Sequence, residues 1–498
     1  MNARFQSLVK AAGGRLAARR PTLYLAAGTC GLAAESDLAP PEGTVEAGCD
    51  GACFQSPSLY MRPGAGWRRA GGVDGRELEA SVAAARPVEE VQAEPFWAGQ
   101  HRRLLRRCGR CDPESLEEAL AEGVYAAFAL AMEGPPEAVI ERAERAGLRG
   151  RGGAYFSAGA KWRSAREAPG EAALVVNAEE GEPGVFKDRH LMEGDPHRLI
   201  EGMLIAAYAC GAREAFIYVN GTAVLSARRL EGALARAREA GLLGRRILGS
   251  DFSLEVEVYR GAGGYVCGEE SVILESIEGQ RAMPRPRPPY PTRHGLFGRP
   301  TVINNVETLA SVPDLLLDPG ATADTKIFCL SGHLRRPSVV EVKLGTRLRD
   351  VLEGIGGGAP GARLKAALLG GPSGGLLPEK LFDVELWPGW PLHEAGALLG
   401  SGGIVAFDES VSMLEVARRL TAYNAQESCG KCTPCREGTQ RLVELLARFP
   451  GADGATLAEV HDVLEAVGVA SLCGLGQMAP GPVRSAMAHF PDEFGISS

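Results

Sequence analysis

No run of apolar residues in these 498 approaches the ~20 needed to span a bilayer, so any work at a membrane has to pass through partners. Basic charge is not in excess: Lys and Arg number 54 against 62 Asp and Glu, and a formal charge of −8 gives no reason to expect nucleic acid. Long internal repeats and low-complexity tracts are absent, which leaves ordinary folded domains, and the chain is too long for one core. Acid is missing from residues 1–34, where Arg4, Lys10, Arg15, Arg19 and Arg20 stand. A transit peptide has that pattern, but so does a basic amphipathic leader helix. The segment runs without a break into strand-like residues 22–26, so a leader helix on a cytoplasmic protein is expected.

Cysteine, by contrast, is plentiful. Twelve thiols, several at ligand-like spacings, fit a reducing compartment better than a disulfide framework. Cys429, Cys432 and Cys435 fall at two-residue spacings in Glu-Ser-Cys-Gly-Lys-Cys-Thr-Pro-Cys-Arg-Glu-Gly, and Cys473 follows in Ala-Ser-Leu-Cys-Gly-Leu-Gly. Three close thiolates and one distant one are the usual cage of a [4Fe–4S] cube, whereas zinc sites usually take two separated Cys-x2-Cys pairs. A cube stores and passes single electrons, so another group in the chain has to collect them.

Composition and pattern divide the chain. Residues 1–20 are the leader helix, 21–95 a small α/β unit, and 96–134 a helical linker with its helix over 113–131. Residues 135–320 alternate strands and helices, with buried parallel strands expected at 173–177, 215–219 and 254–259. Pro284, Pro286, Pro288 and Pro289, with Arg285 and Arg287 between, make a stiff linker or clamp. Residues 325–410 read as a compact β-rich unit and 411–498 as helical.

Four glycine-rich or polar loops fall in the 135–320 unit. In Gly147-Leu-Arg-Gly-Arg-Gly-Gly-Ala-Tyr-Phe-Ser-Ala-Gly-Ala-Lys161-Trp, Gly150, Gly152 and Gly153 let backbone amides approach an anion or flat ring, and Arg149, Arg151 and Lys161 add positive charge. It lacks the Gly-x-Gly-x-x-Gly that follows a strand in dinucleotide folds. Asn177-Ala-Glu-Glu-Gly-Glu-Pro-Gly-Val-Phe-Lys187 places Asn177, Glu179, Glu180 and Glu182 at the carboxyl end of a strand, where ligands sit in open α/β sheets. Arg260-Gly-Ala-Gly-Gly-Tyr-Val-Cys-Gly-Glu-Glu270 opens a helix whose N-terminus favours phosphate. In Gly298-Arg-Pro-Thr-Val-Ile-Asn-Asn-Val-Glu-Thr308, Asn304 and Asn305 suit phosphate or ribityl hydroxyls, though paired asparagines also serve as turns and caps. Together the loops describe one pocket for a phosphorylated, aromatic cofactor.

From about residue 105 onward, these residues closely resemble the family of NADH-binding, FMN-containing subunits found in respiratory complex I and its soluble relatives. The resemblance implies a multidomain α/β chain: a thioredoxin-like N-terminal domain, a Rossmann-like FMN domain, a β-grasp-like SLBB insert and a helical bundle with a [4Fe–4S] cluster. It implies that Gly150, Gly152, Lys161, Asn177 and Gly268 contact the flavin, as do Glu269, Glu270, Asn304, Asn305 and Thr308, with Tyr265 beside it. By the same resemblance Glu179 and Glu180 would complete the cofactor loop, Glu182 would touch the nicotinamide carboxamide, and Phe156 would stack on the dinucleotide. NAD(H) and FMN exchange hydride, with Glu182 and Glu270 orienting substrate and tuning flavin charge. Cys429, Cys432, Cys435 and Cys473 match the cluster ligands one for one.

Some positions depart from the family. Tyr155-Phe156-Ser157-Ala158 replaces Gly-Phe-Pro-Thr, so a tyrosine is expected to crowd the nucleotide entrance; Glu179 replaces an Asp, and Arg163 and Ser164 stand where an aromatic is common. In the N-terminal unit Cys30, Cys49 and Cys53 match three of the four cysteines of the thioredoxin-like [2Fe–2S] domain, so it is expected to dock rather than relay electrons. Cys108 and Cys111 lack two further ligands for zinc, and Cys210, Cys267 and Cys329 read as packing residues. The ending Gln-Met-Ala-Pro-Gly-Pro-Val…His-Phe-Pro-Asp-Glu-Phe-Gly looks most like the β subunits of soluble NAD-dependent molybdenum formate dehydrogenases. That likeness implies two partners, a [2Fe–2S] thioredoxin-like subunit and a larger molybdenum and iron–sulfur catalytic subunit; the alternative is the equivalent subunit of a NAD-reducing hydrogenase, a complex I-like dehydrogenase or an aromatic-ring reductase.

Overall fold

The computed structural model describes residues 2–19, 23–34, 42–62, 66–74 and 78–496. Arg20 and Thr22, of the leader and the strand-like segment after it, lie outside the described residues.

The leader is a helix, Ala3–Arg19, and it is not a free arm. Phe5 and Ala12 are buried with Leu116 and Leu120 of the helix Leu116–Ala121, and Arg15 pairs with Glu117 at 2.9 Å. The next unit is a five-stranded mixed sheet in the order Val45–Ala47, Leu23–Ala26, Ser58–Met61, Arg68–Gly71, Arg86–Pro87. It sits directly on the body of the protein. Thr29 donates its amide and hydroxyl to Glu193, and a Cβ on Gly48 would lie 2.3 Å from the Cα of Gly194, so only glycine fits that seam.

The central sheet has four parallel strands, in the order Glu255–Gly261, Ala212–Asn220, Ala172–Ala178, Thr301–Asn305. Leu174, Val175 and Val176 are fully buried because helices cover both faces, as the unbroken apolar run requires. The helix Pro196–Cys210 is apolar nearly all round and buried along almost its whole length. Three of these strands match expectation, but the fourth corrects it. The segment read as a loop around Asn304 is the strand Thr301–Asn305, running into the helix Val306–Ala310.

The 325–410 region is a second five-stranded sheet, ordered Ser338–Lys343, Thr325–Gly332, Gly403–Asp408, Leu364–Leu369, Gly375–Pro378. The remainder is helical from Met413, where Ser412 caps the first turn by accepting from the Glu415 amide at 3.4 Å. The proline segment is a clamp: Arg285 pairs with Glu275 and Glu278, Arg287 with Glu269 and Glu270, and the Pro284 carbonyl accepts from Lys431 Nζ at 2.8 Å. It thereby ties the helix Glu270–Ile277 to the cysteine loop. Among the described residues no helix is long and apolar enough to cross a membrane.

Candidate functional site

The chain leaves the strand Ala172–Ala178 toward Ala212–Asn220 on one side and returns as Thr301–Asn305 on the other. Connections that part in this way open a crevice at the carboxyl ends of the two strands. Asn177 and Asn305 face each other there as Cα partners. Asn177 Nδ2 donates to the Gly268 carbonyl at 2.9 Å, drawing in the loop before Glu270. Asn305 Oδ1 caps the Glu307 amide at 3.0 Å and its Nδ2 donates to Asp188 at 2.6 Å; Asn304 Oδ1 accepts from Trp162 Nε1 at 2.8 Å. Both paired asparagines thus hold the crevice together with part of the capacity expected for ligand.

Over this floor lies the glycine loop. The Gly150 amide donates to the Phe156 carbonyl at 2.8 Å, and a Cβ on Gly152 would sit 3.2 Å from Asn305 Cβ, so the loop backbone lies directly on the strand end. Ser157 caps the helix Ala158–Arg166, which aims Lys161 back into the crevice, 2.8 Å from Glu270. Thr308 Oγ1 accepts from the Arg151 amide at 2.8 Å and fixes the loop from below. Phe156 is 56% exposed at the outer edge. Tyr155 does not crowd the entrance. Its φ of 52° turns it inward, where it is buried and its hydroxyl donates to the Gly400 carbonyl at 3.0 Å.

The acids divide by role. Glu180 accepts the amides of Asp188 and Arg189 and caps the helix Lys187–Gly194. Glu269 caps Glu270–Ile277 through the amides of Ser271 and Val272. Glu179 is fully buried; one oxygen accepts from Asn220 Nδ2 at 3.0 Å, the other has no partner, and burial pushes its carboxyl up to about 8. Glu182 accepts from Ser401 Oγ at 2.6 Å while Oε1 has no partner, and burial raises it too. Burial would also raise Glu270, but Lys161 and Arg287 outweigh it and hold this carboxyl below its usual range.

Sequence reasoning missed what lies underneath. Lys187 and Lys326 are buried and share Glu307 Oε2 at 3.0 and 2.6 Å; Lys187 also meets Asp188 at 2.7 Å. Burial opposes the charge on both. Asp188, Glu307 and Glu180 keep Lys187 charged, whereas Lys326, with only the shared Glu307 in contact, is pushed down to about 8. Lys326 Nζ also donates to the Ser401 carbonyl at 2.7 Å, so this cluster sets the residue that holds Glu182. A signal existed: lysine inside the apolar run Lys-Ile-Phe-Cys-Leu needs a buried partner.

The cluster cysteines stand at the other wall. Cys432 precedes the helix Thr433–Leu446 and Cys473 the helix Gly474–Met478, so helix N-termini face the sulfurs. The Leu472 amide donates to Cys432 Sγ at 3.5 Å, and Cys435 meets Ser428 Oγ at 3.3 Å. Tyr265, Val266 and Cys432 pack against Cys435, Cys473 and Leu475. Tyr265 therefore touches the thiols from the loop that Asn177 anchors, and its amide donates to Glu427 beside them at 2.7 Å. Among the described residues no three His, Cys, Asp or Glu side chains close on a single ion, so the thiols are grouped without converging on one point. Burial pushes Cys473 up to about 11, so a bound metal has to supply the charge that makes it a thiolate. An all-thiol set backed by amides fits an iron–sulfur cube. The crevice fits a flavin: Gly268 opens on free space, Gly152 brings backbone close, and Glu179 and Glu182 keep unpartnered acceptors.

Comparison with known proteins agrees. The Nuo51 FMN-binding domain matches residues 143–314, the SLBB domain 327–377, and the NADH-ubiquinone oxidoreductase-F iron-sulfur binding region 415–496. The F 2 subunit of the NADH-quinone oxidoreductase of Rhizobium meliloti is 43% identical over 78% of this chain and 96% of its own. The HndC subunit of the NADP-reducing hydrogenase of Solidesulfovibrio fructosivorans is 40% identical over 79% and 83%. In the crystal structure of an NAD+-reducing [NiFe]-hydrogenase in the H2-reduced state, one chain matches with a TM-score of 0.69 at 30% identity, covering 99% of this chain and 90% of that one. The chain belongs to the family of NADH-quinone oxidoreductase F subunits, NAD(H)-dependent oxidoreductase components that carry FMN and a [4Fe–4S] cluster.

Proposed function

We propose that this chain is the β subunit of a cytoplasmic NAD-dependent formate dehydrogenase, working with a [2Fe–2S] thioredoxin-like subunit and a larger molybdenum and iron–sulfur catalytic subunit. FMN, when bound, exchanges a hydride with the nicotinamide and single electrons with the cube. The chain's residues bind and orient. Gly150, Gly152 and Gly268 offer backbone to the cofactor, and Lys161, steadied by Glu270, offers the positive charge. Asn177, Asn304, Asn305 and Thr308 hold the loops that form the crevice, and Glu179 and Glu182 supply free acceptors. Phe156 gives the nicotinamide dinucleotide an outer face to stack on. Cys429, Cys432, Cys435 and Cys473 hold the cube.

The observation that supports the two-site reading is Tyr265, which stands on the loop that Asn177 holds through Gly268 and packs against the cluster of Cys435, Cys473 and Leu475. Lys161→Ala is expected to lose FMN and keep iron, and Cys432→Ala to lose iron and keep flavin. Full flavin in Lys161→Ala would refute the pocket. The formate assignment rests on the ending from Gln477 to Gly495. A second reading, a hydrogenase diaphorase subunit, is favoured by the hydrogenase chain that covers 99% of this one. Anaerobic titration of the native complex separates them. Reduction of flavin and cluster by both NADH and formate supports the first, and reduction by hydrogen in place of formate supports the second.

A further inference from the structure

A cavity of about 100 Å³, sharing no residue with the flavin crevice, lies between the N-terminal unit and the segment that follows it. Tyr60, Val88, Val91 and Trp97 form its walls, and Arg69, Arg102, Arg106 and Arg110 reach it; among the described residues no carboxylate lines it. Arg69 is already spent. Its guanidinium bonds Asp50 at 2.8 Å, Gln55 at 2.7 Å and Ser58 at 2.8 Å. Of the other three, Arg102 and Arg110 meet no carboxylate in an ion pair among the described residues, and Arg106 has only a shared one. Arg102 stacks on Trp97 at 5.0 Å and donates to the Leu105 carbonyl; Arg110 donates to the Arg106 carbonyl. Arg106 meets Asp314 at 3.2 Å, but that acid is also held by the buried Arg198 at 2.6 Å. Trp97 is 8% exposed, and its indole N–H, which can only donate, has no partner.

Guanidiniums and an unpartnered indole N–H around a cavity that no carboxylate lines are the complement of an anion, and guanidiniums match oxyanions in particular. The volume is several times what one water needs, about 10–15 Å³. It is also well below the roughly 300–1,000 Å³ of a nucleotide or drug-sized pocket. Two arginines without a paired carboxylate, and a third that shares its own with Arg198, favour two negative charges over one. We propose that this cavity binds a small divalent oxyanion of the phosphate or sulfate kind, which joins the N-terminal unit to the arginine-rich segment.

The test is calorimetric titration of the purified holoprotein, in phosphate-free buffer, with phosphate, sulfate, formate, chloride and glycerol 3-phosphate. Phosphate and sulfate are expected to bind at one site, with formate and chloride at least tenfold weaker. Arg110→Met and Arg106→Met should each weaken phosphate tenfold or more, and Trp97→Phe severalfold, with FMN and iron content unchanged. Arg363→Met, on an arginine exposed elsewhere, should change nothing. Glycerol 3-phosphate binding as well as phosphate identifies the phosphoryl group of a larger metabolite as the ligand, and much weaker binding identifies the free ion; both support the site. Three results would overturn it: no heat from phosphate or sulfate up to about 10 mM, beyond the usual millimolar end of binding; formate as tight as phosphate; or unchanged affinity in the arginine variants.

Discussion

Glu307→Gln tests the charge cluster beneath the flavin crevice. Glu307 is 1% exposed, accepts both lysine ammoniums through Oε2, and takes the Ile327 amide through Oε1 at 2.9 Å. Glutamine keeps the shape and one acceptor but takes from two buried cations the carboxylate they share, leaving Asp188 as the one acid in direct contact with Lys187. Removing one partner of a buried ionic set costs about 3–5 kcal/mol, because the remaining charge is uncompensated. The loss has a pH signature. Folding lowers Lys326 from 10.5 to about 8, so the folded chain binds fewer protons than the unfolded one in that interval, and stability rises with pH through it. In the variant the proton leaves Lys326 at lower pH still. By pH 9 both proteins carry a neutral Lys326, and the difference should shrink to about 1–2 kcal/mol, the worth of the remaining hydrogen bonds to charge. Urea unfolding of the holoprotein at pH 6.5 and pH 9 measures both quantities. Glu307→Gln/Lys326→Met should recover at least half of the loss, since it removes the stranded charge. A destabilisation under about 1 kcal/mol at pH 6.5, within the range of an ordinary surface change, would refute the reasoning, as would equal losses at both pH values.

Further expectations follow from other contacts. Glu201 is 2% exposed, takes the Ala127 amide at 2.9 Å, and is pushed by burial up to about 7. Its folded form holds a proton the unfolded form has lost, so stability falls as pH rises from about 4.5 to 7, and Glu201→Gln should gain about 1–3 kcal/mol in urea unfolding at pH 8 and flatten that slope. Gly48→Ala would drive a Cβ into the Gly194 backbone and should loosen the N-terminal unit, seen as faster proteolysis of that unit with flavin retained. Glu182→Gln should raise KM for NADH about tenfold or more, the worth of a hydrogen bond to a charged group, while flavin content holds. Gly371→Ala, whose Cβ would meet Glu182 Oε1 at 2.3 Å, should give the same phenotype.

Local signals were legible where function rests on neighbours in sequence. The cysteine spacing, the glycine loop and the apolar runs at 173–177 and 215–219 each announce themselves within a dozen residues. The helical character of 411–498 was equally plain. The strand Thr301–Asn305 was missed because five residues after Gly-Arg-Pro look like a turn, although Thr, Val and Ile favour strands. Longer-range arrangements stayed hidden. Lys187, Glu307 and Lys326 meet only after the second and third domains pack, and no spacing rule links them. Tyr155 looked like an obstacle because its partner, Gly400, lies far along the chain. The caps at Glu180 and Glu269 show the same effect in miniature: an acid beside a glycine reads as ligand-binding, and its second task of capping a helix shows only in the fold.

The seat of the first helix bears on how the chain is made. Phe5 packs among Leu116, Leu120 and the residues around them, which leave the ribosome more than a hundred positions later. At roughly 5–20 residues per second this is a delay of about 5–20 s. During that time the helix carries Phe5, Leu8 and Val9 with nothing to cover them, and the N-terminal sheet waits longer for Glu193 and Gly194. The newborn chain thus presents a basic, apolar-striped segment before its own partner exists, and chaperones have that interval in which to cover it.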